Sequence, residues 1–159
     1  MADKRRFAPY FRVVKVTTPA VGAEWTFTPD RAAGVLVRSV LFQLATSAVA
    51  ATRVPALRQT DGSDQYARHL PGNGQTASGT FLYSGNAGNS MLITAGSNVS
   101  FQLPTDGIWL QQGHILSSST DNRDAGDQFS AIVLGIYEFP TGSPFTFVPL
   151  VPVFELSSE

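Results

Sequence analysis

The stretch from Gly107 to Phe139 reads as two strands joined by an acidic, glycine-bearing turn, and its second strand is the most β-prone segment in the sequence. In its second half, Gln128 to Phe139, apolar residues occupy both parities. Ile132, Leu134 and Ile136 share one face, and Phe129, Ala131, Val133, Tyr137 and Phe139 share the other. A strand apolar on both faces is expected inside a sheet, covered above and below. Gly34 to Thr46 is the second long strand, with Leu36, Val40, Phe42 and Leu44 on one side and Val35, Val37 and Leu41 on the other. Its β-branched residues and glycine start favour strand over helix.

Shorter segments fill the space between. Tyr10 to Thr17 predicts a first strand, and Glu24 to Thr28 alternates with Trp25 and Phe27 inward. Thr52 to Thr60 reads as an edge or bulged strand, because Pro55 lacks a ladder donor. Asp61-Gly62 supplies the positive-φ pair of a two-residue hairpin loop, with a return strand over Asp64 to Leu70. Thr76 to Ser84 places Phe81 and Tyr83 on one face; Ser90 to Thr94 pairs with Ser97 to Leu103, which alternates Val99, Phe101 and Leu103 inward. Nine or ten short strands with frequent turns predict an all-β antiparallel sandwich, jelly-roll-like, over residues 10–139.

Two flanking segments break the pattern. Residues 1–9 form a basic arm, and residues 140–159 an extended tail in which prolines 144, 149 and 152 exclude a helix or central strand. The tail carries Phe145, Phe147, Val148, Leu150, Val151, Val153 and Phe154, too apolar to stay in water. With Arg5, Arg6 and Phe7 of the arm and Tyr10 at the start of the first strand, these residues are the expected protein-interface set; the tail is expected to lie across a neighbouring chain in preference to its own sandwich.

Composition narrows the function. At 159 residues the chain can close a core as one domain. Charged residues are only 14%, and Gly, Ser, Thr, Asn, Gln and Ala fill the gap, a composition common in β-rich proteins that live inside assemblies. Five basic residues against Asp3 give the first fifteen positions a charge of about +4, leaving the remainder at about −5. With a formal net charge of −1, neither nucleic acid nor membrane is an expected partner. Cysteine is absent, which removes disulfides, zinc-thiolate sites and thiol nucleophiles. Arg12 and Lys15 interrupt any apolar run after the basic start, so a signal peptide is not expected.

Candidate chemistry is thin. Asp121, Asp124 and Asp127 surround Gly126, but the alternate-position ligands and closing Glu of an EF-hand are missing, so a backbone-bonded turn is the expectation. His69 and His114 have no companion at a diagnostic spacing, and the glycine clusters precede no helix and no GK[ST]. No catalytic residue, metal or cofactor is expected. Trp25, Trp109 or Tyr83 would be the stacking platforms if the chain were instead a carbohydrate- or receptor-binding module.

Three stretches carry a family likeness: EWTFTP at Glu24 to Pro29, VRSVLFQLATSAVAATRVPALRQTDG from Val37 to Gly62, and LPTDGIWLQQGHILSSSTDNRDAGDQFSAIVL from Leu103 to Leu134. In these the chain resembles small β-sandwich virion proteins of tailed bacteriophages, over about residues 24 to 139. The resemblance implies a non-enzymatic structural component of the particle, a capsid decoration or cement protein or a neck or tail part. It further implies a homo-oligomer (trimer or ring) contacting the major capsid protein or other virion proteins, made in the host cytoplasm.

Overall fold

The structure, a computed structural model, describes residues 9–30, 34–88 and 94–139. Among them the chain forms strands and no helix: β1 (Tyr10–Lys15), β2 (Thr26–Phe27), β3 (Val35–Ala45), β4 (Val54–Thr60), β5 (Gln65–His69), β6 (Thr80–Asn86), β7 (Thr94–Ala95), β8 (Asn98–Gln102), β9 (Ile108–Leu110), β10 (Ile115–Asp121) and β11 (Gln128–Glu138). They build two sheets. The larger runs β1-β11-β3-β6-β8-β7, with β9 also on β3; the smaller runs β2-β10-β4-β5. β11 lies along the whole of β3, so β6 and β9 share the opposite edge, taking Ser39–Ala45 and Val35–Val37 respectively. The all-β sandwich reading holds.

The core fills the space between the sheets. Phe42 of β3 is its hub, with ring centroids at 5.8 Å from Trp25, 5.3 Å from Tyr83, and 5.5 Å from both Phe101 and Phe129. Each such ring contributes roughly 1.5–3 kcal/mol on burial. The inward alternation expected at Val99, Phe101 and Leu103 is present.

Several expectations need correction. β10 and β11 are not a hairpin: β10 belongs to the smaller sheet and β11 to the larger, so the acidic turn carries the chain from one layer to the other. The pairings are not all antiparallel, because β6 and β8 run parallel after the β7–β8 hairpin turns the chain round. β4 is an inner strand, not an edge, though its pairing with β5 does carry a register shift between Gln59 and Thr60; Pro55 is tolerated because it lies beyond the last β5 partner, Leu57↔His69. The Asp61-Gly62 turn is at its expected place but spans four residues, with Asp61 Oδ1 accepting from the amides of Ser63 (2.9 Å) and Asp64 (2.8 Å).

The face assignments in the two long strands change for one reason. Ala131 adopts φ 49° at a register shift between Ser130 and Val133, and a second shift leaves Arg38 unpaired between Val37 and Ser39. An extra residue reverses the parity of everything beyond it. Phe129 therefore points inward with Ile132, Leu134 and Ile136, and Val35 and Val37 point inward with Val40, Phe42 and Leu44.

Candidate protein-interaction face

The smaller sheet covers one side of the larger. The other side of β1, β11 and β3 carries a second apolar surface, arranged in cross-strand rows by the register. Phe11, Tyr137, Leu36 and Trp109 form one row across β1, β11, β3 and β9. Val13, Gly135 and Ser39 form the next, and Lys15, Val133 and Leu41 the third. Phe11 is 53% exposed and Val13 59%, while Tyr137, Leu36, Val133 and Leu41 are half-buried. The expectation that β11 is covered on both faces is thus met on one side only among the described residues.

Gly135 shapes this surface. A Cβ there would strike Ser39 Oγ and come within 3.0 Å of the Phe11 ring. Its absence lets Phe11 fold over the strand and meet Tyr137 edge-on at 5.4 Å. The middle row is therefore covered at Gly135 by the Phe11 ring and the Ser39 hydroxyl, and Val13 is its exposed member. At the Trp109 end of the first row, Phe139 packs edge-on against Trp109 at 4.9 Å. On the inner side of the same strands, Glu138 is buried and receives Arg12 and the Tyr10 hydroxyl, clasping β1 to β11.

Of the expected interface set, Tyr10 stands at the start of β1, 44% exposed and bonded to Glu138. Arg5, Arg6, Phe7, Phe145, Phe147, Val148, Leu150, Val151, Val153 and Phe154 lie outside the described residues. Phe11, Val13, Leu36, Leu41, Val133 and Tyr137 were not singled out from sequence as contact residues. Their signal was the apolar occupancy of both parities, which sequence reasoning assigned to burial rather than to a surface.

The other candidates disperse. Asp127 pairs with Arg53, Asp121 with Arg68 (2.6 Å), and Asp124 Oδ1 accepts the amide of Gly126 (2.9 Å), as the turn reading requires. Among the described residues no three His, Asp or Glu side chains converge to hold a metal. His114 Nδ1 shares a hydrogen bond with the exposed Tyr66 hydroxyl at 2.8 Å, whereas His69 is at the end of β5, its pKa lowered by burial. Trp25 (1% exposed) and Tyr83 (0%) are core residues and offer no stacking platform; burial pushes the Tyr83 hydroxyl well above its ordinary pKa.

A buried polar cluster at the sheet corner went unseen in the sequence. Arg53 donates to Asp127 Oδ2, to the carbonyls of Val49 (2.6 Å) and Ala51 (2.8 Å), and to Ser47 Oγ (3.0 Å). Beside it, Gln75 donates to the carbonyls of Leu44 (3.0 Å) and Gly79 (2.7 Å) and accepts from Tyr83 (3.3 Å). Every member is satisfied internally, which marks the cluster as structural.

Compared with known proteins, the chain matches no family model, no curated relative and no solved structure. No helix among the described residues is long and apolar enough to cross a membrane.

Proposed function

We propose that this chain is a non-enzymatic structural component of a tailed-phage virion, seated as an oligomer on the capsid exterior or at the portal vertex or neck. The observation that carries the reading is the apolar outer face of β1, β11 and β3, a surface suited to another polypeptide. The sequence likeness over residues 24 to 139 supplies the class of particle. The scattering of acids and histidines into turns and ion pairs supports a mechanical role. Burying a half-exposed side chain such as Tyr137 contributes less than the full roughly 1.5–3 kcal/mol of a core residue. Binding therefore needs several at once, repeated around a symmetric assembly.

Native mass measurement of the purified chain, followed by its localisation in a particle reconstruction, tests this. A ring or trimer bound to capsid or neck protein is expected. A strictly monomeric chain that joins no particle overturns it.

A further inference from the structure

We propose that the free edge of β1 is a docking site for β1 of a second copy, paired antiparallel about a two-fold axis at Val13. The inference rests on the homo-oligomer part of the reading above and names the contact between copies.

The register fixes which way the backbone of β1 points. Tyr10–Lys15 pairs with β11 without a register shift, and just beyond it the Val16 amide donates to the Ile132 carbonyl at 3.0 Å. Hydrogen-bonded and non-bonded pairs alternate along an antiparallel ladder. Tyr10, Arg12 and Val14 therefore turn their amides and carbonyls to β11, and Phe11, Val13 and Lys15 turn theirs away. β1 closes one end of the larger sheet, so among the described residues no strand receives those groups.

The other sheet edges are short, covered or irregular, the usual defences against strand addition. β2 and β7 have two residues each. The outer edge of β8 is met by β7, by the Pro71–Phe101 bridge and by the Gly72 amide, 2.9 Å from the Ser100 carbonyl. β5 carries a register shift against β4. β1 has six residues, no proline and no bulge.

The edge also complements itself. With Val13 opposite Val13, Phe11 of one copy faces Lys15 of the other, and Arg12 faces Val14. Every outward amide then meets a carbonyl, no like charges are opposed, and the Lys15 stem lies along the Phe11 ring. Sliding two residues one way opposes Arg12 to Arg12 and Lys15 to Pro9, which has no amide; sliding the other way opposes Phe11 to Thr17, beyond the end of the strand. In the matched register the apolar outer faces of the two larger sheets run on into each other. The contact is isologous, so a ring built with it holds an even number of chains.

The chain has no cysteine, so full-length Val13→Cys carries one thiol, placed at the axis. Residues opposed in a hydrogen-bonded antiparallel pair have Cα atoms about 5.5 Å apart, within disulfide reach. Oxidation should give a linked dimer at least tenfold faster than Val49→Cys, a collision control 55% exposed between β3 and β4. Mixed Phe11→Cys and Lys15→Cys chains should link to each other and not to themselves; self-linking of Phe11→Cys overturns the register. Val13→Pro removes an amide that faces away from β11, so β1 keeps its place in the sheet while sedimentation shows association at least tenfold weaker. An oligomer in which Val13→Cys links no faster than Val49→Cys overturns the edge contact and leaves the particle reading standing. A fast-linking Val13→Cys dimer that joins no capsid or neck protein upholds the edge contact and overturns the particle reading. A chain that stays monomeric overturns the edge contact, and one that also joins no particle overturns both.

Discussion

Arg53 Nε lies 3.1 Å from Asp127 Oδ2, with the two side chains 0% and 1% exposed, and this ion pair pins the corner where the chain passes from the smaller sheet to the larger. Asp127 also accepts the amides of Ser47 (2.8 Å) and Asp124 (2.9 Å), so one carboxylate gathers the end of β3, the start of β4 and the β10–β11 turn. Removing one partner strands the other charge without solvent. Asp127→Ala is expected to lose about 3–5 kcal/mol, and Arg53→Met with Asp127→Leu together less than the sum of the single changes. Urea unfolding of the three variants measures both.

Acid should weaken the same corner. Burial raises the Asp127 pKa, but the Asp124 and Ser47 amides and Arg53 together outweigh it and hold the carboxyl below its ordinary value of 3.8. A folded-state pKa below the unfolded one stabilises above the unfolded value, and that stability is lost as pH falls through the folded one. His69 acts earlier: burial lowers its pKa below 6.5, so the unfolded chain takes up the proton first and stability falls as pH drops through that region. Unfolding followed from pH 7 to 2 should show two declines, with His69→Gln removing the first and Asp127→Asn flattening the second.

Phe42 joins three rings of its own sheet to Trp25, which immediately precedes β2 of the smaller sheet. Phe42→Ala should cost about 3–5 kcal/mol through the transfer loss and the cavity left among four aromatic neighbours. Phe42→Leu should cost less. Thermal melts and near-ultraviolet circular dichroism report both.

Gly135→Val places a side chain where Phe11 and Ser39 already meet over β11. Its side chain collides with Ser39 Oγ and the Phe11 ring, so β1 must lift from β11 at a cost of about 1–3 kcal/mol. Hydrogen exchange should show faster loss of protection in Tyr10–Lys15 than in β3.

The outer face separates binding from folding. Tyr137→Ser and Phe11→Ser remove rings that are partly exposed and pack on each other, and each should cost less than the about 3–5 kcal/mol of Phe42→Ala and leave the chain folded. Sedimentation of these variants should show a marked loss of oligomer or of capsid binding.

The pattern of apolar positions located most strands, because alternation and Asp-Gly turns are local signals: β3, β8 and the Asp61 turn lie near their expected places. What it missed depends on non-local geometry. Ala131 carries nothing in its identity that announces a bulge, yet its one extra residue turns Phe129 inward. Arg53 and Asp127 lie far apart in sequence, and each alone reads as an ordinary surface charge. The β10–β11 turn looked like a hairpin because turn residues report a change of direction, not which layer receives the next strand. The apolar excess on β11 was legible; that one of its sides meets no second sheet among the described residues depends on the layout of the whole domain.

β11 inserts between β1 and β3, and this constrains how the protein is made. During synthesis the first strand emerges more than a hundred residues before the strand that will hold it, so its aromatic and valine side chains must wait without their seat. The larger layer is therefore complete only once β11 has been made, and the interval before it is when a nascent chain most needs shielding from its siblings.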